Sequence, residues 1–256
     1  MNSKTLDFEN IFKSLEQDVG LIKPDLNETW INYLHNHKER YHDLLSQIQD
    51  LDPNNKMLEV GSFPGHFTVI LKELGYKIEG VDIKPERAGK LWEKHNLLIH
   101  KVNIETESIP FPTNTFDVIL FTEVIEHLRI NPLSVLQELH RILKPNGLLL
   151  LTTPNITPSM RLKFFWKEQD YLDNPIEQFK KLEWLGHMGH VRLYSFKELK
   201  IILDFIGLQI ISHSYSGKKP SLNIKRNILF SLLNLVGIRY SKDQFRPYLF
   251  ILSRKK

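Results

Sequence analysis

Apolar positions change their spacing along this chain, and each change marks a different kind of element. From residue 27 to residue 50, Trp30, Leu34, His37, Tyr41, Leu44 and Ile48 recur at alternating spacings of four and three. That is the stripe of one amphipathic helix. Pro24 lies just before it, and Asp25 or Asn27 can cap it. Leu6 to Val19 reads as a shorter helix. Residues 1–50 are therefore expected to form an N-terminal helical cap on a main domain spanning 51–256. Asp52-Pro53-Asn54-Asn55 is the turn between them.

After that turn, short continuous apolar runs alternate with helical stretches. Strands are expected at Met57–Val60, Lys77–Asp82, Leu97–Val102, Phe116–Phe121 and Leu148–Thr152. Helices are expected at Gly65–Leu74, Pro85–Lys94 and Pro132–Leu143, the last stopped by Pro145-Asn146-Gly147. Buried runs separated by helices predict an α/β protein with a doubly wound, mostly parallel sheet covered on both faces. Leu208–Ser212 and Tyr248–Leu252 bring the strands to seven. Ser195 and Glu198 make a capping box for a helix that runs to Phe205 and stops at Gly207. Two insertions interrupt the rhythm. Residues 154–190 follow the end of a strand, where open sheets bind ligands, and are expected to form a lid or substrate wall. Residues 217–244 are basic and apolar.

Composition narrows the class. Of 256 residues, 41% are hydrophobic and 25% charged, which suits a globular protein with a real core. The net charge of +4 is mild and spread out, so nucleic acid is not the expected partner. There is no cysteine, which excludes disulfides, thiolate metal sites and cysteine nucleophiles. The stretch MNSKTLDFENIFK has neither the basic start nor the apolar core of a secretory leader. No apolar run approaches the roughly 18 residues a membrane span needs. A cytoplasmic protein is the expectation. Within 218–242 the run Ile228–Ile238 is flanked by lysines and arginines. Such a segment suits peripheral contact with an anionic membrane surface, a cover for the sheet edge or a dimer contact.

The candidate chemistry begins at the first strand. A dinucleotide loop needs the frame G-x-G-x-x-G, so that the backbone can approach a pyrophosphate. From Gly61, that frame places Phe63 and His66 where glycines belong, and no Gly-Lys-Ser/Thr follows. The phosphate cradle is missing. A tight turn remains, with Asp82 at a strand end 21 residues after Gly61. Its carboxylate can accept from both hydroxyls of a ribose. The ligand that fits is a nucleoside without phosphates.

Leu58-Glu59-Val60-Gly61-Ser62-Phe63-Pro64-Gly65 resembles the first motif of the class I S-adenosylmethionine (SAM) dependent methyltransferases. Asp82 matches their ribose-binding acid. FDVILFTEVIEHL from Phe116 and LHRILKPNGLLLLTTPN from Leu139 resemble the fourth strand and the helix-turn-strand that follows. GHVRLYSFKEL from Gly189 resembles a segment of the branch that contains ubiquinone-biosynthesis O-methyltransferases and many uncharacterised bacterial relatives. The resemblance covers about residues 56–212. It implies the Rossmann-like methyltransferase fold, SAM as cofactor, and methyl transfer to an oxygen of a small-molecule or lipid-linked acceptor. It also implies roles for individual residues. Glu59 would order the loop or bond near the methionine moiety. Gly61, Ser62, Phe63 and Gly65 would line the cofactor, and Phe63 stands where the motif has its middle glycine. Asp82 would hold the ribose, with Ile83 against the adenine. Asn103 and Ile104 would meet the adenine edge, where the family often has an acid; Glu105 is a substitute. Glu123 would line the cofactor pocket.

Glu123-Val124-Ile125-Glu126-His127 carries three chemically capable side chains. If a helical turn starts at Glu123, all three share a face. Three uses are open. They suit a divalent metal, with His187 or His190 as a further ligand; no metal is assigned. His127, with Glu126 beside it, suits a metal-free general base or substrate contact. All three also suit a structural role. His190 and Arg192 belong to the acceptor side or serve packing. The rival functions are a metal-dependent RNA 2′-O-methyltransferase, suggested by the E-x-x-E-H string, and a non-catalytic cofactor-binding partner protein.

Overall fold

In the computed structural model, residues 3–22, 27–156, 189–218 and 242–256 are described, together with 176, 179–182, 186 and 187. Seven strands form one sheet: β1 (Lys56–Val60), β2 (Lys77–Asp82), β3 (Ile99–Lys101), β4 (Phe116–Thr122), β5 (Leu143–Pro154), β6 (Leu208–Ser216) and β7 (Tyr248–Lys255). Their order is β3-β2-β1-β4-β5-β7-β6. The first five are parallel, and β7 is antiparallel to both β5 and β6. The central strands read as unbroken apolar runs because helices cover both faces.

One face carries α1 (Ser3–Asp18), α2 (Asn27–Asn36), α3 (Lys38–Ile48), α4 (His66–Glu73) and α5 (Gly89–Lys94). Phe8, Phe12, Trp30, Leu34, Tyr41 and Ile48 join Met57, Ile70 and Trp92 in one continuous core there. The cap is thus packed into the body rather than laid over it. The other face carries α6 (Pro132–Ile142) and α7 (Phe196–Phe205), whose leucines close a second core on Ile119, Phe121 and Leu151. Asn131 caps α6 through its side chain, with Pro132 at the first helical position. The capping box at Ser195 and Glu198 forms as expected.

Four local expectations are corrected. The single helix over 27–50 is two helices parted at His37, whose backbone leaves helical geometry while its Nδ1 bonds the Tyr33 carbonyl at 2.7 Å. The apolar stripe survives because i to i−4 backbone hydrogen bonds continue through the break, from His37 N–H to the Tyr33 carbonyl at 3.1 Å and from Tyr41 N–H to the His37 carbonyl at 3.0 Å. Pro85–Lys94 starts as a 3-10 turn over Pro85–Ala88 and becomes α-helical only at Gly89. Pro145-Asn146-Gly147 does not separate helix from strand: β5 begins at Leu143 and pairs with β4 across an irregularity at Phe116/Val118. Asn146, at φ +63°, absorbs that irregularity within the strand. The turn over residues 123–127 is also not one helical face, as shown below. Ile228–Ile238 and the aromatic residues Phe164, Phe165, Trp166, Tyr171 and Trp184 of the expected lid lie outside the described residues. Among the described residues, no helix is long and apolar enough to cross a membrane.

Candidate functional site

Strand order reverses between β1 and β4, and open α/β sheets bind their ligands at the carboxyl ends of strands beside such a reversal. Register puts Val60 level with Val81 and Phe121, so the residues after β1, β2 and β4 share one edge. The chain leaves β1 at Gly61 with φ +78°, and a Cβ there would stand 2.6 Å from Val124 Cγ2. Gly65, at φ +99°, opens α4 against the Trp92 ring, where a Cβ would lie 2.4 Å from Cη2. Both positions need left-handed backbone and close approach, which glycine alone supplies without strain.

Ser62 is buried with its hydroxyl donating to the Glu59 carbonyl at 3.1 Å, and it packs against Gly80. Its side chain is therefore turned into the sheet. The Phe63 N–H donates to Asp82 Oδ2 at 3.0 Å. Asp82 Oδ1 accepts from the Lys84 N–H at 2.8 Å and from Arg87 Nη2 at 2.9 Å. The Arg87 guanidinium lies 3.7 Å from the centre of the Phe63 ring, and Trp30 meets that ring edge-on at 4.9 Å. Ile83 follows Asp82 and stands within 3.0 Å of where a Gly186 side chain would begin.

Asn103 and Ile104 follow β3. Asn103 Oδ1 accepts from the Glu105 N–H at 3.1 Å, so its amide N–H groups are what it can offer outward. Glu105 is committed elsewhere. Its Oε1 accepts the N–H groups of Arg129 and Ile130 at 2.5 and 2.7 Å.

Glu59 is buried on β1 and accepts from the Thr68 hydroxyl. Burial pushes its carboxyl up to about 7, although the Thr68 bond and Arg40 pull the other way. Arg40 was not singled out in the sequence. It comes from α3, packs among Tyr33, Tyr41 and Tyr248, and reaches Glu123 Oε2 at 3.4 Å. Against the cost of burial, Tyr33 and Glu123 hold its basicity well above the ordinary arginine value. Its buried Nε has no hydrogen-bond partner among the described residues. The only signal for it was a charge set beside the apolar stripe, between His37 and Tyr41. His37 itself is a packing residue, stacked on Tyr33 at 3.9 Å.

Glu123 has φ +56°, which turns the chain off any helical path. Its side chain goes to Arg40 and to the Thr152 hydroxyl, which donates at 2.9 Å. The helical turn, of 3-10 type, spans only Ile125–His127. Glu123 is therefore parted from the face of His127. Glu126 is fully buried; Oε2 accepts from Thr153 Oγ1 at 3.0 Å, and Oε1 has no hydrogen-bond partner among the described residues. Burial, then the Glu123 charge, push the Glu126 carboxyl well above the ordinary carboxylate range. The Glu126 carbonyl accepts the N–H groups of Val191 and Arg192 at 2.7 and 3.2 Å, which draws the segment after Gly189 alongside.

His127 Nδ1 lies 2.9 Å from the Gly189 carbonyl. A carbonyl only accepts, so Nδ1 carries the proton and Nε2 is the basic atom of the neutral ring. Nε2 is 3.8 Å from Glu126 Oε1. The His190 and His187 rings lie 5.1 and 4.2 Å from the His127 ring. One ligand atom each from Glu126, His127 and His190 falls within 4.8 Å of the others. His190 thus takes the place expected for Glu123 in that group. Arg192 turns away to Glu198 at 2.8 Å.

A family model described as a methyltransferase domain matches residues 33–213. The uncharacterised methyltransferase YodH of Bacillus subtilis is 33% identical over 101 residues, 38% of this chain and 42% of that protein. A ubiquinone biosynthesis O-methyltransferase of Cereibacter sphaeroides is 32% identical over 106 residues, 40% of this chain and 42% of that protein. The chain thus spans about two-fifths of the length of these curated relatives. The SAM-dependent methyltransferase TM1293 of Thermotoga maritima superposes with a TM-score of 0.57 at 21% identity, covering 93% of this chain and 99% of that one. At that identity the likeness speaks for the fold.

Proposed function

This chain belongs to the methyltransferase-domain family, and from that premise we propose that it transfers the methyl group of SAM to an oxygen of a small-molecule or lipid-linked acceptor. The observation that carries the proposal is His127. Its Nδ1–H is held by the Gly189 carbonyl, so a basic Nε2 is kept at the carboxyl edge of β4. A hydroxyl acceptor needs such a base, because its proton must leave as the methyl arrives. The similarity to a protein named for ubiquinone biosynthesis O-methylation supports an oxygen acceptor.

The residues at the edge fit the cofactor. Arg40 is a buried cation whose Nε has no hydrogen-bond partner among the described residues, and it would hold the methionine carboxylate, with Glu123 setting its orientation. Asp82 would hold the ribose. Asn103 Nδ2 would donate to a ring nitrogen of the adenine, with Ile83 and Ile104 against its faces. Gly61 and Gly65 would admit the ligand close to the backbone, and Glu59 keeps the loop ordered through Ser62 and Thr68. Bound there, the cofactor supplies a sulfonium methyl already activated for in-line displacement. The chain then contributes alignment, exclusion of water and His127 Nε2 as proton acceptor. Glu126, its carboxyl held well above the ordinary carboxylate range by burial and then by Glu123, lies beside that imidazole.

One specific observation favours a second form of the same chemistry. Glu126 Oε1, which has no hydrogen-bond partner among the described residues, lies beside two imidazoles. One carboxylate oxygen and two ring nitrogens suit zinc or manganese, which would lower the pKa of an acceptor hydroxyl. Activity lost on chelation and restored by a divalent metal would select this form.

Calorimetry with S-adenosylhomocysteine, with NAD as control, tests the cofactor assignment on the wild type and on Asp82→Asn. Binding that weakens in the variant supports it, whereas binding of NAD instead would overturn it. His127→Ala tests the base. On a phenolic acceptor kcat should fall about a hundredfold or more while cofactor affinity stays.

A further inference from the structure

Asp82 ends β2 with one oxygen fully occupied. Oδ1 accepts from the Lys84 N–H and from Arg87 Nη2, and Oδ2 accepts from the Phe63 N–H alone among the described residues. A carboxylate offers about two acceptor positions on each oxygen. A ribose diol held by both hydroxyls needs one position on each, and only Oδ2 keeps one.

Arg87 is built into this place. Its side chain and that of Asp82 are each only 5% exposed. Its Nε donates to the Lys84 carbonyl at 3.0 Å, and its guanidinium stacks on Phe63. Phe63 is the bulky residue of the glycine turn, and Trp30 of the cap supports its ring from the side. The unusual loop residue and the arginine therefore form one unit around the carboxylate.

We infer that Arg87 competes with the cofactor ribose for Asp82, so that both hydroxyls bond only after Arg87 has given up Oδ1. The inference rests on the ribose role proposed for Asp82. Capture of the nucleoside is then an exchange of partners, in which a charge-assisted hydrogen bond is replaced by one from a neutral hydroxyl. Arg87 lowers affinity by that difference, and Phe63 offers the displaced guanidinium a face to remain on.

Calorimetric titration with S-adenosylhomocysteine of the wild type, Arg87→Met, Arg87→Lys, Asp82→Asn and the double variant Asp82→Asn/Arg87→Met tests this, with folding checked by circular dichroism. Arg87→Met should bind about tenfold more tightly than the wild type, the scale of one such bond. Arg87→Lys keeps the charge and the fold but loses the planar stack and fork, and should show a smaller gain. The double variant should bind no more tightly than Asp82→Asn alone, because the competition acts through that carboxylate. Unchanged or weaker binding in both Arg87 variants, with Asp82→Asn impaired, overturns the competition alone. Asp82→Asn binding as tightly as the wild type overturns the ribose role and the competition with it.

Discussion

Arg40 of the cap and Glu123 after β4 face each other at 3.4 Å across the boundary between helices and sheet, their side chains only 7% and 13% exposed. The pair joins the N-terminal helices to the carboxyl edge of the sheet. Removing one member leaves the other charged and buried, which is costlier than never having had the pair. Arg40→Met should lower stability by about 3 kcal/mol and abolish S-adenosylhomocysteine binding. Urea denaturation and calorimetry read the two effects separately. A variant as stable as the wild type would show that Glu123 does not depend on the pair.

Glu59 makes stability depend on pH. Its folded-state value of about 7 lies above the ordinary carboxyl value of 4.5, because burial disfavours the charged form. A raised carboxyl adds stability that is complete below the unfolded value and is lost as pH rises through the folded one. Unfolding free energy should therefore fall between about pH 4.5 and about pH 7, by up to roughly 3 kcal/mol from this group. Glu59→Gln keeps an acceptor for Thr68 but cannot ionise. Its profile, measured by urea denaturation at several pH values, should be flatter over that window.

Gly61→Ala brings a Cβ to 2.6 Å from Val124 Cγ2 and forces an L side chain onto φ +78°. A loss of about 2 kcal/mol is expected from strain and overlap together. Adding Val124→Ala relieves the overlap and leaves the strain, so it should restore only part of the loss. Thermal denaturation of the two variants separates the contributions, and full restoration would assign the whole effect to packing.

Ser195→Ala removes the cap of α7, whose hydroxyl accepts the Glu198 N–H at 3.3 Å. A loss of about 1 kcal/mol is expected. The helix starts six residues after His190, so its fraying should also loosen the segment held to the Glu126 carbonyl. Hydrogen exchange at the Val191 and Arg192 amides should speed up in the variant. Unaltered exchange there would show that the segment is held by Glu126 alone.

Much of this protein is written in local sequence. Strand, turn and helix at Met57–Leu74 follow from an apolar run, two glycines and an amphipathic stretch, all within bonding reach of one another. Asp82 was legible because an acid at a strand end a fixed distance from the glycine turn must arrive at the same sheet edge. The capping box at Ser195 was legible because both partners lie within a single turn. The family resemblance, carried by four ordered segments, rests on the same short-range geometry.

Tertiary structure decided what depends on approach between distant segments. Nothing local distinguishes Arg40 from a solvated helix charge until α3 is packed against Tyr248 and Glu123. Arg87 reads as one more charge on a helical turn until the glycine loop lays Phe63 on it. Glu123 could be placed with His127 only by assuming helical backbone, and its left-handed φ breaks that assumption. His190 and His127 meet because the Glu126 carbonyl holds the segment after Gly189. Periodicity and fixed offsets thus determined the sheet, the turn and the place of the Asp82 carboxylate at the sheet edge, since short-range sterics and burial govern them. The partners of each buried charge were settled by packing, because a desolvated ion must be met by whichever group the fold brings to it.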